Sequence, residues 1–299
     1  MKNDRTKSIG GSDAAGVLGL SRWNSPLKVW AEKTGQVVPG ELDNEAVHLG
    51  RELEDYVAKR FMKLTGKKVR RVNQTLVHPE FPFLTGHIDR RVVGEDAILE
   101  CKTASVWKAK EWEGEDIPQE YIIQVMHYLA ITGAKYAYIA VLIGNQDYKW
   151  KVIERDENAI REMIKQEVDF WNNFILTGQM PVNIQAQDSE TLLNLFPVAM
   201  PESVIELGDE VDTLIEMRNA MIQDVKSLEN QIEQQNNMIK AKLGVHEYAE
   251  SDAFKISWKN QTQKRIDSKR LKESEPELFE KYSKESSFRV LRITNKKGA

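Results

Sequence analysis

The chain has a single cysteine, Cys101, among 299 residues. One thiol excludes an intramolecular disulfide and any multi-cysteine metal centre, and it suits a reducing compartment. Long apolar runs are also missing: no stretch approaches the roughly 18 residues needed to span a bilayer. Met1 to Lys7 is polar, and no hydrophobic leader segment follows. These absences predict a cytoplasmic protein with no membrane partner. Nor is there a strong excess of either charge. A net charge of −4 gives no global attraction to nucleic acid, although a local basic surface would be enough for binding. What remains is an ordinary globular composition, 41% hydrophobic and 29% charged, with length for one large domain or two smaller ones.

The stretch most loaded with chemistry runs from Thr85 to Lys102. It reads as a β-hairpin turning at Gly94-Glu95-Asp96, with apolar residues on both sides of the turn. Side chains at i and i+2 of a strand share a face. Glu100 and Lys102 therefore point one way, while Leu99 and Cys101 point into a core. Asp89, on the preceding strand, would approach Glu100 across the sheet. Two carboxylates and a lysine would then meet at one spot. That set suits a hard divalent cation such as Mg²⁺, which takes oxygen ligands and lowers the pKa of a bound water. A surface hairpin with weak salt bridges fits the same spacing.

The remaining elements read in order. Gly10-Gly11 leads into a short helix with Ser12 or Asp13 as N-cap. A helix start after glycines is a natural anion site, which Arg5 would complement. Ser25-Pro26 opens a second helix that ends near Gly35. Asn44 to Leu64 reads as a longer amphipathic helix closed by Gly66. Glu54 falls within its apolar pattern, so it needs a partner or a metal. Lys67 to His78 reads as a strand with basic residues at its start. Trp107 and Trp112 follow in a polar loop, either stacking on bases or folding down as the loop's own core. Ile117-Pro118 begins a helix to Gly133, on which Gln124 and Tyr128 share a face. A hairpin over Tyr136–Ile143 and Tyr148–Glu154 follows, then a helix capped by Asp156. The order predicts an α/β core with a mixed sheet.

Taken together, Ser12-Asp13, Gly50-x-x-x-Glu54, Gly86-x-x-Asp89, Glu100-x-Lys102 and Gln124-x-x-x-Tyr128 resemble the YqaJ-type viral recombinases. That family is grouped with lambda exonuclease in the PD-(D/E)xK nuclease superfamily. The resemblance covers about residues 5 to 175. It implies a restriction-endonuclease-like core, a mixed central sheet flanked by helices. It also assigns roles. Asp89 and Glu100 would bind Mg²⁺, with Mn²⁺ as a substitute, and the Cys101 backbone carbonyl would be a further ligand. Glu54 is a candidate additional ligand. Lys102 would position the attacking water, Gln124 would support it, and Tyr128 would support Gln124. Arg5 and Ser12 resemble the residues that hold a 5′-phosphate. The superfamily's proline before the aspartate is replaced here by Ile88.

The implied activity is a phage- or prophage-encoded, metal-dependent 5′-to-3′ exonuclease acting on double-stranded DNA ends in a bacterial host. Its 3′ single-stranded tails would pass to a RecT-like or Beta-like annealing protein. A structure-specific or single-strand endonuclease of the same fold is the rival enzyme. A non-catalytic DNA-binding or assembly module is the rival without chemistry. The lambda-type enzyme is a ring-shaped trimer, so a homo-oligomer is a further expectation.

Domain boundaries are expected at 1–178 for the nuclease core and 179–204 for a proline-interrupted linker. Residues 205–299 then form an extension. Its first part spaces Val211, Leu214, Met221, Val225, Leu228 and Ile232 by three, four or seven residues, an exposed amphipathic or coiled helix. A small β segment around Phe254-Ile256-Trp258 follows, and packing, oligomerisation or DNA contact are its open roles.

Overall fold

The computed structural model describes residues 5–38, 45–285 and 288–295. The chain divides into two compact units, Met1–Val198 and Ala199–Ala299.

In the first unit, a 3₁₀ turn at Arg5–Lys7 precedes β1 (Ile9–Gly10), α1 (Gly11–Val17), α2 (Pro26–Lys33) and α3 (Glu45–Thr65). Next come β2 (Val69–Arg71), β3 (Leu76–Val77), β4 (Leu84–Gly86), β5 (Arg90–Val92) and β6 (Ala97–Ala104). A 3₁₀ segment at Val106–Trp112 leads to α4 (Gln119–Thr132), β7 (Tyr136–Ile143), β8 (Asp147–Glu154), α5 (Glu157–Phe170) and α6 (Ser189–Leu195). Local chemistry sets the ends. Ser25 caps α2, its side chain accepting from Lys28 N–H. Asp156 caps α5 by accepting from Asn158 and Ala159, and Gly133 ends α4 in the left-handed conformation.

The main sheet runs β2-β5-β6-β7-β8. β6 and β7 are parallel over their whole length, joined by the α4 crossover that a parallel pair requires. The other pairs are antiparallel. The pleat sorts side chains between two cores. Ile98, Ile139 and Val141 pack towards α4 with Val125 and Leu129, whereas Leu99, Tyr138 and Ala140 pack towards α3 with Val57 and Phe61. A smaller sheet, β1-β4-β3, sits over a third core of Ile9, Leu27, Trp30, Leu84 and Phe170.

Several expectations need revision. Thr85 to Lys102 is not one hairpin: Thr85 and Gly86 belong to β4, which pairs with β1 and β3 in the smaller sheet. Only β5 and β6 form the hairpin. Lys67 to His78 likewise splits into β2 and β3, one in each sheet. Helix α1 is capped by Gly10 rather than Ser12 or Asp13. Asp13 instead reaches back from the first turn to accept the Gly10 N–H at 2.9 Å. The stretch 179–204 is not all loop: α6 lies within it, and buried Asp188 accepts a hydrogen bond from the Ser25 hydroxyl. Asn44, read as the start of α3, lies outside the described residues.

In the second unit, α7 (Asp209–Leu243) is 35 residues long. β9 (Tyr248–Glu250) and β10 (Lys255–Ser257) form an antiparallel hairpin, followed by α8 (Ser268–Ser274) and α9 (Pro276–Tyr282). Leu214, Met221, Val225, Leu228 and Ile232 on α7 are all exposed. Among the described residues, no helix is long and apolar enough to cross a membrane.

Candidate active site

The site forms where β6 outruns its neighbour. β5 pairs with β6 only through Arg90–Leu99 and Arg91–Ile98, so from Glu100 onward that edge of β6 has no strand beside it. Asp89 sits at this gap, and its Oδ2 accepts the Cys101 N–H at 2.7 Å. The N–H and C=O of a strand residue project to the same edge, so the Cys101 carbonyl opens on the same gap as Asp89. Glu100 and Lys102 alternate onto the α4 face with Ile98.

There they meet helix α4. Lys102 Nζ donates to Glu100 Oε1 at 2.7 Å and to Gln124 Oε1 at 2.8 Å. Gln124 Nε2 donates to Glu100 Oε1 and to the Tyr128 hydroxyl, both at 3.0 Å. Lys102 also lies 4.9 Å from the centroid of the Tyr121 ring, a cation–π contact. Asp89, Glu100, Lys102, Gln124 and Tyr128 are thus brought together. Glu100 is 3% exposed, and its Oε2 is buried without a hydrogen-bond partner.

The electrostatics follow from crowding anions in a poorly hydrated corner. Burial, then the Glu100 charge, push Asp89 up to about 8, against the Cys101 N–H, which favours its ionised form. Burial works against charging Lys102, but the Glu100 carboxylate outweighs it and holds the ammonium above its ordinary value. Burial raises the Tyr128 phenol and the Cys101 thiol, so neither ionises readily.

Other candidate residues lie apart from this cluster. Glu54 accepts from Arg90 and from Arg71, so its partners are guanidinium groups on the α3 side. Its charge still contributes to raising Asp89. Ser12 is exposed on the first turn of α1, with no bond to the cluster. The Arg5 side chain lies outside the described residues. Trp112 is buried and stacks on Tyr121, whereas Trp107 is 91% exposed. His87, two residues before Asp89, is engaged with Thr75 at 2.8 Å rather than with the cluster. Among the described residues, no group of three or more His, Cys, Asp or Glu side chains stands ready to hold a metal ion. The oxygen donors on offer are two carboxylates and a main-chain carbonyl.

Sequence reasoning missed two supports. Tyr121 is one turn before Gln124 and shares its face, so that spacing was a usable signal. Gly11 is the other: a Cβ there would lie 2.4 Å from Tyr128 Cε1. Only a glycine lets α1 press against the ring that Gln124 leans on.

The family model that matches is the YqaJ-like viral recombinase domain, over residues 2–135. The YqaJ protein of Bacillus subtilis (strain 168) is 42% identical over 289 residues, spanning 96% of this chain and 91% of that protein. The chain belongs to the YqaJ-like viral recombinase family. Its fold extends beyond that relative. The alkaline exonuclease LHK-Exo of Laribacter hongkongensis superposes with a TM-score of 0.51 at 23% identity, covering 58% of this chain and 90% of that one. LHK-Exo in complex with dAMP gives 0.50 at 23% identity over the same shares of the two chains. The likeness is one of fold: a mixed sheet flanked by helices.

Proposed function

We propose that this protein is a metal-dependent DNA exonuclease of phage type. It degrades double-stranded ends 5′ to 3′ and leaves 3′ single-stranded tails for an annealing protein. The observation that carries the reading is the convergence of Asp89, Glu100, Lys102 and the Cys101 carbonyl at the unpaired edge of β6. Family membership supports nucleic-acid recombination as the setting.

The donors fit Mg²⁺, with Mn²⁺ as a substitute. All are hard oxygens, and Glu100 Oε2 lacks any partner. Asp89, crowded by Glu100, favours a proton in the absence of a cation. Asp89, Glu100 and the Cys101 carbonyl would hold the ion, which supplies Lewis-acid polarisation of a phosphodiester and an activated water. The chain's own groups do the rest. Lys102, kept charged by Glu100, donates to the attacking water or to a phosphate oxygen and stabilises negative charge there. Gln124 fixes the ammonium by accepting from it, and Tyr128 fixes Gln124 in turn. Apolar packing on the α4 side keeps these groups poorly hydrated, which strengthens each interaction.

The test is digestion of linear duplex DNA with a 5′ label, with Mg²⁺ or EDTA, by wild type and Lys102→Ala. Mononucleotides released from the 5′ end only with Mg²⁺, and slowed about 10²–10³-fold in the variant, support the reading. Cleavage of closed circular DNA would transfer it to an endonuclease, and binding without any metal-dependent cleavage would refute catalysis.

A further inference from the structure

Strands β2 and β5 carry four arginines in two cross-strand pairs, and the protein treats the pairs differently. Register sets Arg71 opposite Arg90 and Arg70 opposite Arg91. Like charges directly opposite on an antiparallel pair have Cβ atoms about 4.5–5.5 Å apart and destabilise the sheet. On the α3 side this cost is met internally. Glu54 and Asp55 each pair with both Arg71 and Arg90.

The pleat sends Arg70 and Arg91 to the opposite face. No carboxylate among the described residues forms an ion pair with either. With Arg71, Asn73 and Gln74 they line an open depression of about 390 Å³. Asn73 and Gln74 are exposed and carry side-chain amides with donor groups. β2 is the edge strand of the main sheet, so the depression lies at a sheet edge with no further strand beside it.

The position ties this depression to the catalytic cluster. Arg91 follows Asp89, which sits in the bend just before β5, by two residues, so their Cα atoms lie no more than about 7 Å apart. We propose that Arg70 and Arg91 form an anion site for a backbone phosphate of duplex DNA, flanking the phosphate presented to Asp89 and Glu100. This inference rests on the DNA-nuclease reading. Guanidinium groups bind phosphate oxygens bidentately, and side-chain amides add hydrogen bonds to phosphate or sugar. Such a site fixes the register of the duplex over the cluster and reads no sequence. An anion seated there also relieves the repulsion that the fold leaves unanswered.

The experiment is binding of a fluorescent duplex with EDTA present, across a salt series, by wild type, Arg70→Ala/Arg91→Ala and Arg70→Lys/Arg91→Lys. Thermal melts of each protein without DNA accompany it. The alanine pair is expected to lose about tenfold or more in affinity, with the log–log salt slope shallower by about 1–2. The lysine pair should retain the slope and lose part of the affinity. The alanine pair's melting temperature should hold or rise, because a repulsive pair has been removed. Wild-type affinity and slope in the alanine pair would overturn the inference, as would a marked fall in its melting temperature. The parent reading fails separately: wild type that binds duplex yet never cleaves it sinks the nuclease and leaves the arginine comparison decisive. Absence of any duplex binding by wild type would overturn both.

Discussion

Helix α4 carries two charged clusters built from neighbouring residues. Gln124 and Tyr128 close over Lys102 and Glu100, and His127 pairs with Glu167 of α5 at 2.8 Å. Each cluster buries one carboxylate oxygen without a partner, Glu100 Oε2 and Glu167 Oε2. They differ in access. His127 and Glu167 are both 0% exposed, and the second ring nitrogen of His127 faces the Thr85 carbonyl at 3.0 Å. Burial opposes a charge on His127, but Glu167 outweighs it and holds the imidazolium above its ordinary value. That pair is sealed and joins α4, α5 and β4. The Glu100 cluster instead opens through Asp89 and the Cys101 carbonyl onto an unpaired strand edge. On the proposed function, an unpartnered carboxylate oxygen serves a ligand where other oxygen donors and a path to solvent meet it. Where neither is present it marks a structural ion pair.

The sharpest way to break this contrast is to remove the sealed acid. Glu167→Ala takes away one partner of a buried pair, leaving His127 Nδ1 without its acceptor, and should cost about 3–5 kcal/mol in chemical denaturation. Lys102 lies outside that pair, so cleavage by the molecules still folded should persist. If the variant keeps wild-type stability, the pair is not the brace described here.

The open cluster should respond in the opposite sense. Asp89 binds a proton in the fold up to about pH 8, whereas its ordinary value is 3.8. Its folded pKa is raised, so its contribution is complete below 3.8 and is lost as pH rises towards 8. Asp89→Asn removes the cost of ionisation while keeping an acceptor for Cys101 N–H. It should stabilise the metal-free protein at pH 8 by on the order of 1–3 kcal/mol and abolish cleavage. Mg²⁺ should raise the melting temperature of wild type and leave the variant nearly unchanged. An equal Mg²⁺ response in both proteins would count against Asp89 as a ligand.

A smaller effect is expected from the support behind the cluster. Gly11→Ala forces a methyl against Tyr128, so melting should show a loss of about 1–3 kcal/mol. Cleavage should slow as well, through Gln124 and Lys102. A variant that slows cleavage no more than its stability loss explains would cut that chain of contacts. Smallest of all, Leu228→Ala on exposed α7 should leave stability within about 0.5 kcal/mol, a denaturation midpoint shift near the error of measurement.

Individual residues show why some of this was readable in advance. Glu100 and Lys102 declare a shared face because strand periodicity is local, and Gln124 and Tyr128 do so by helical spacing. The α4 limits follow from Pro118 and Gly133 for the same reason. The fate of Glu54 was not readable: its apolar neighbours showed that it needed a partner, but Arg90 and Arg71 reach it only through the β2–β5 register. Thr85 was misplaced within one hairpin because nothing local reveals that β1 will pair with β4. His127 and Glu167 lie on separate helices and carry no mutual signal along the chain.

By itself, the amino-acid order determined the α/β class, the limits of α4 and the shared faces of Glu100 with Lys102 and of Gln124 with Tyr128, since these depend on short-range periodicity and capping. Tertiary structure alone decided that β6 outruns β5 and bares the Cys101 carbonyl beside Asp89. It also decided that one arginine pair is neutralised while the other faces outward. Those outcomes depend on strand register and helix packing between segments distant in sequence, where each carboxylate and guanidinium settles by which partner the fold brings within reach.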